Sequence, residues 1–173
     1  MNNFLKSKYK IESILIISLP FWMIISRFML ELCLLIISIS FLVKIIKKKE
    51  FIIFNNYFVL FFSFFYSLLL LSFLLSEEKL NILSILLYFR FALYVMAVYY
   101  FLIKENKTIK YFLNSIAIII LLLFFDSIVQ YFSGQNLIGL KNIVAYRVTS
   151  FFGDEQVLGA YVVRLFPFLL LLK

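Results

Sequence analysis

Three ionisable side chains, Arg90, Asp126 and Arg164, stand inside otherwise apolar runs of this sequence, and Gln130 follows Asp126 by four residues. A charge at the centre of a bilayer costs about 2.5–3.5 kcal/mol on insertion scales, so such residues face a protein interior or a water-filled cavity. With a rise of about 1.5 Å per residue, Arg90 falls about 15 Å, Arg164 about 12 Å and Asp126 about 10 Å below the outer membrane surface. These depths agree within the reach of an arginine, so Arg90 or Arg164 can pair with Asp126. One carboxylate cannot neutralise two guanidiniums. The remainder is a net positive polar cluster open to the outer face, with Gln130 beside it and Arg147 in the loop above as a third cation. Guanidiniums grip phosphate oxygens two at a time, which suits a lipid-linked diphosphate at the membrane surface. The plainer readings are an interhelical ion pair for Arg90 and Asp126, and lipid-headgroup contact for Arg147.

Composition narrows the chemistry. The 173 residues contain no His and one Cys, so neither a Cys/His metal site nor a Ser-His-Asp triad can be built from them. No metal and no cofactor is expected. Hydrophobic residues make up 65% of the chain and charged ones 15%, against about 45–50% and about 25% in soluble domains. That much apolar surface belongs in a membrane. The net charge of +8 sits in short clusters beside apolar spans, which marks topology and not a nucleic-acid footprint.

Five apolar blocks position these residues: 11–46, 51–75, 80–103, 109–132 and 157–172. A crossing takes about 20 apolar residues, so the first block is too long for one span. Arg27 and Glu31 inside it mark a turn between two short helices. Splitting it leaves 10 Lys and Arg on the amino-terminal side of the membrane and 4 on the other, as the positive-inside rule asks. The expected fold is therefore an all-α, polytopic transmembrane helix bundle of about six spans, with a cytoplasmic amino terminus. It forms a single transmembrane domain over 1–173. Lys6, Lys8 and Lys10 before an apolar run give the start a signal-like look, but Pro20, Phe21 and Trp22 stand where a small-x-small cleavage site would be.

All four glycines, Gly134, Gly139, Gly153 and Gly159, fall within residues 134–159. Glycine permits tight turns, so the external loop 133–155 is shaped rather than merely flexible, although an ordinary connection folding back on the membrane would use glycines too. Asp154 and Glu155 suit the amino terminus of the last helix, and Gly159 and Ala160 give that helix a small packing face.

The run Asp126-Ser-Ile-Val-Gln130-Tyr131-Phe132-x-Gly134-x-Asn136-x-x-Gly139, followed by Arg147-Val-Thr-Ser-Phe-Phe-Gly153-Asp154-Glu155-x-x-Gly159-x-Tyr161, resembles the O-antigen ligase and O-antigen polymerase family. The shared feature is an Arg-x-x-(small)-x-Phe-Gly stretch that opens a transmembrane helix after an external loop. It is distinctive over about 126–167 and generic before that. The resemblance implies an inverting glycosyltransferase of the bacterial inner membrane, acting without nucleotide sugar or metal. The partners it implies are an undecaprenyl-diphosphate-linked glycan, a lipid A-core or glycan acceptor, and membrane lipids. It also implies that Arg147 binds the carrier diphosphate, the leaving group whose developing charge a cation stabilises. Arg90 and Arg164 join that diphosphate-binding set from their depth in the membrane. No catalytic residue is legible, because no general base for the acceptor hydroxyl can be read. Family members are longer and carry further Arg and His, so the chain is expected to be the amino-terminal part of a longer protein.

Two other classes compete. Half of a flippase or transporter would line a substrate path with Arg and Asp, but would be expected to carry paired Gly or Pro interruptions in its spans. A non-catalytic structural subunit would need no shaped external loop.

Overall fold

A computed structural model of the chain describes residues 10–75, 82–141, 147–153 and 155–171. Every regular element among them is helical: α1 (Lys10–Ile25), α2 (Arg27–Lys48), α3 (Tyr57–Leu75), α4 (Ile82–Leu87), α5 (Phe89–Lys104), α6 (Asn106–Ser133) and α7 (Leu158–Leu169). Short 3₁₀ turns lie at Phe51–Phe54 and Ser150–Phe152, and Gln135 and Lys141 form an isolated antiparallel bridge. Four stretches are long and apolar enough to cross a membrane: Arg27–Lys48, Tyr57–Leu75, Ile85–Lys104 and Asn106–Ser133. The chain is an all-α membrane protein. α1, with 16 residues, and α7, with 12, are shorter than a full crossing.

The turn expected around Arg27 and Glu31 is a single non-helical residue, Ser26. Its amide donates to the Trp22 carbonyl at 3.0 Å and its own carbonyl accepts from Leu30 at 3.1 Å. The Ser26 hydroxyl accepts the Met29 amide at 3.4 Å, capping α2 at its third residue. Arg27 thus opens a helix instead of sitting in a loop.

The chain divides into two compact units, 1–33 with 105–173, and 34–104. In the first, α1 packs along α6. The buried residues of α6 are Thr108, Leu113, Ile116, Ile119, Leu123, Asp126 and Gln130, spaced three to five apart on one face. Thr108 donates to Ser13 of α1 at 2.9 Å at one end of this stripe, and the carboxylate and amide stand at the other. Ile119 and Leu123 form a small core with Tyr161, against which Ile24, Phe151, Phe152 and Leu165 pack. The opposite face of α6 exposes Ile118, Leu121, Phe125 and Phe132, which suits a hydrocarbon solvent.

In the 34–104 unit, Ile37, Phe41 and Ile45 of α2 are buried four residues apart, and Tyr94, Met96, Ala97, Tyr100 and Phe101 supply the buried part of α5. Phe41 meets Tyr100 edge-on with ring centres 5.4 Å apart. Glu50, just past α2, accepts hydrogen bonds from the Tyr100 hydroxyl at 2.9 Å and from Lys104 at 3.0 Å. Those two donors hold its carboxyl below the usual carboxylate range. α3 has no buried residue along its length.

Candidate functional site

Asp126 and Gln130 lie one turn apart near the end of α6, and both are fully buried. Their partners are on the loop that follows. One Asp126 oxygen accepts the Leu137 amide at 2.8 Å, and the other accepts the Ser150 hydroxyl. The Gln130 side-chain carbonyl accepts the amides of Thr149 at 3.1 Å and Ser150 at 2.6 Å. Arg164, which belongs to the same unit as Asp126, does not reach it, and both carboxylate oxygens are taken by donors of the loop. With no exposed surface and each oxygen bonded to the loop, this carboxylate positions that loop.

The loop itself is stitched at Asn136. Its side-chain carbonyl accepts the amides of Ile138 at 3.1 Å and Leu140 at 2.7 Å, and its NH₂ donates to the Ser150 carbonyl at 3.0 Å. α6 ends because Gly134 turns left-handed, with φ of 76°, and returns its amide to the Gln130 carbonyl at 2.9 Å. Ser150 also takes a positive φ, 52°, where a side chain is strained by about 1–2 kcal/mol. Its amide, hydroxyl and carbonyl are all engaged, which is how the strain is held.

This anchored segment leads into the wall of a cavity of about 560 Å³. Phe151, Phe152, Gly153 and Glu155 form one side, Met23 to Arg27 a second, and Ala160, Tyr161, Arg164 and Leu165 of α7 a third. Tyr161 fixes α7 to α1 by donating its hydroxyl to the Pro20 carbonyl at 2.8 Å, and its ring packs 5.3 Å from that of Phe152. At the rim, Arg27 grips both oxygens of Glu155, at 2.8 and 2.7 Å. The side chains of this pair are 80% and 51% exposed, so the contact itself adds about 0–1 kcal/mol of stability.

The residues singled out in the sequence fall into four places. Arg164 lines the cavity, is exposed, and has no hydrogen-bond or ion-pair partner among the described residues. Arg147 is exposed and contacts the side chain of Gln156, next to Glu155 in the chain. Arg90 belongs to the 34–104 unit, where its guanidinium lies 5.2 Å from the centre of the Phe91 ring. Asp126 and Gln130 are brought together as expected, but as the anchor of the loop. Asp154, expected to cap the last helix, lies outside the described residues. The sequence reading assigned no site role to Arg27, Glu155, Asn136 or Ser150. Apart from the local turn at Asn136, their partners lie between 14 and 128 residues away, and no local spacing encodes them.

The cavity thus brings two guanidiniums, Arg27 and Arg164, and one carboxylate, Glu155, beside the rings of Phe151, Phe152 and Tyr161. Among the described residues no group of three or more His, Cys, Asp or Glu side chains is placed to hold a metal ion. No family model, curated protein or solved structure matches the chain.

Proposed function

We propose that the chain binds the diphosphate of a lipid-linked glycan at the outer face of a bacterial inner membrane and serves in transferring that glycan to an acceptor. The observation that carries this reading is the cavity walled by Arg27 and Arg164, with Arg147 on the anchored segment that forms its wall. Guanidiniums match phosphate oxygens in both geometry and charge, and they stabilise a diphosphate as it departs with the negative charge of the broken glycosidic bond. The acceptor is lipid A-core in a ligase and a further glycan repeat in a polymerase. In this reading Arg147 and Arg164 hold the diphosphate, and Asp126 and Gln130 fix the loop that carries Arg147.

The test is Arg147→Ala in the full-length gene, with glycan transfer and membrane level measured in the same cells. Transfer should be abolished at normal protein level. Unchanged transfer removes the assignment.

A further inference from the structure

We propose that Glu155 is a built-in stand-in for a phosphate group: a phosphate- or diphosphate-bearing ligand entering the cavity displaces Glu155 from Arg27 and is then held by Arg27 and Arg164 together. This rests on the anion-binding reading above and adds to it a ligand-binding residue, Arg27, and an internal competitor.

The geometry of the pair carries the argument. One terminal nitrogen of Arg27, Nη2, donates to both oxygens of Glu155, at 2.8 and 2.7 Å, and a phosphate offers the same pair of oxygens on one anionic group. Both partners are largely exposed, so water and salt screen the attraction and the pair opens readily. A ligand bearing two or more negative charges competes well against one screened carboxylate. Arg164 lines the same cavity and has no partner among the described residues, so the ligand gains a second cation that Glu155 does not use. When the cavity is empty, the pair ties the start of α2 to the segment before α7. When it is full, Glu155 is released.

A second, apolar cavity of about 440 Å³ shares Ile24, Ile25 and Phe151 with the charged one and continues over Leu122 and Ile138. A hydrocarbon tail attached to the phosphate can lie there. The head chemistry is common to a lipid headgroup and a free phosphate, and the tail separates them.

The experiment is calorimetric titration of the full chain, in phosphatidylcholine nanodiscs, with inorganic pyrophosphate and separately with farnesyl diphosphate. Glu155→Gln should tighten both by about two- to fivefold, equivalent to about 0.4–1 kcal/mol, which is as much as the screened pair withholds. Arg27→Gln should weaken both, and adding Glu155→Gln to Arg27→Gln should bring no gain. Farnesyl diphosphate binding more tightly than pyrophosphate makes the ligand a lipid headgroup, and equal binding makes it a free phosphate. The proposal is overturned if no form binds pyrophosphate, if Glu155→Gln binds no better than wild type, or if the gain persists without Arg27. Glycan transfer is a separate readout: a chain that follows this pattern but transfers no glycan keeps the displacement and loses only the transferase reading.

Discussion

Asp126 accepts the Ser150 hydroxyl on one carboxylate oxygen and the Leu137 amide, at 2.8 Å, on the other. One buried side chain at the end of a membrane helix thus holds both limbs of the loop that leads to the cavity wall. The consequence is a loop whose shape depends on α6, and it can be broken from a position that never touches a ligand.

Asp126→Leu keeps the bulk but leaves the Leu137 amide and the Ser150 hydroxyl without acceptors. Leaving one buried and one part-buried donor unsatisfied should destabilise the unit by about 1–3 kcal/mol. Asp126→Asn can still accept from Leu137 and donate to the Ser150 oxygen, so its loss should be less than half as large. Thermal unfolding in detergent, with limited proteolysis of the 133–155 segment, measures both. Equal stability of Asp126→Leu and wild type would contradict the anchor.

Ser150 gives an opposite-sign test. Alanine and glycine both remove the hydroxyl, but only glycine relieves the positive φ of 52°. Ser150→Gly should therefore unfold at a higher temperature than Ser150→Ala, by about 1 kcal/mol in stability. The reverse order would mean that the backbone there is not left-handed.

The Glu50 carboxyl is held low by hydrogen bonds from Lys104 and Tyr100. A group whose folded value lies below its unfolded one stabilises the fold fully above the unfolded value, and that contribution is lost as pH falls through the folded one. Glu50→Gln should lower the unfolding temperature at neutral pH. The gap to wild type should close as the pH is taken down to about 3, below the ordinary carboxylate range. A gap that stays constant across that range would remove the linkage.

The outward placement of the loop after α6 is expected from the charge distribution and has its own test. Lys141 is exposed on the loop after α6. A cysteine placed there should react with an impermeant thiol reagent added from the periplasmic side of intact cells. Reaction only after the inner membrane is opened would invert the topology.

Much of the fold was legible because membrane helices write themselves as apolar runs bounded by charge, and the four long ones lie within the blocks read from the sequence, give or take a few flanking residues. The polar pair Asp126 and Gln130 was legible too, since a carboxylate and an amide one turn apart inside such a run demand partners. The identity of those partners was not. The sequence pointed to a guanidinium, whereas the carboxylate is satisfied by an amide and a serine hydroxyl supplied by the loop. The glycine cluster announced a shaped loop, and Gly134, Gly139 and Gly153 do take positive φ. Ser150 does so without any glycine to signal it. Arg27 looked like a turn marker because its neighbours are apolar, and its partner Glu155 lies 128 residues further along the chain.

The most direct test of diphosphate binding is cross-linking of a photoreactive polyprenyl diphosphate to the chain in native membranes, with the labelled peptides identified. The expected result is labelling confined to the walls of the two adjacent cavities, around 21–27, 119–123, 138 and 151–165, suppressed by excess pyrophosphate and lost in Arg164→Gln. Labelling spread over the lipid-exposed faces of α3 and α6, unaffected by pyrophosphate or by Arg164→Gln, would contradict it.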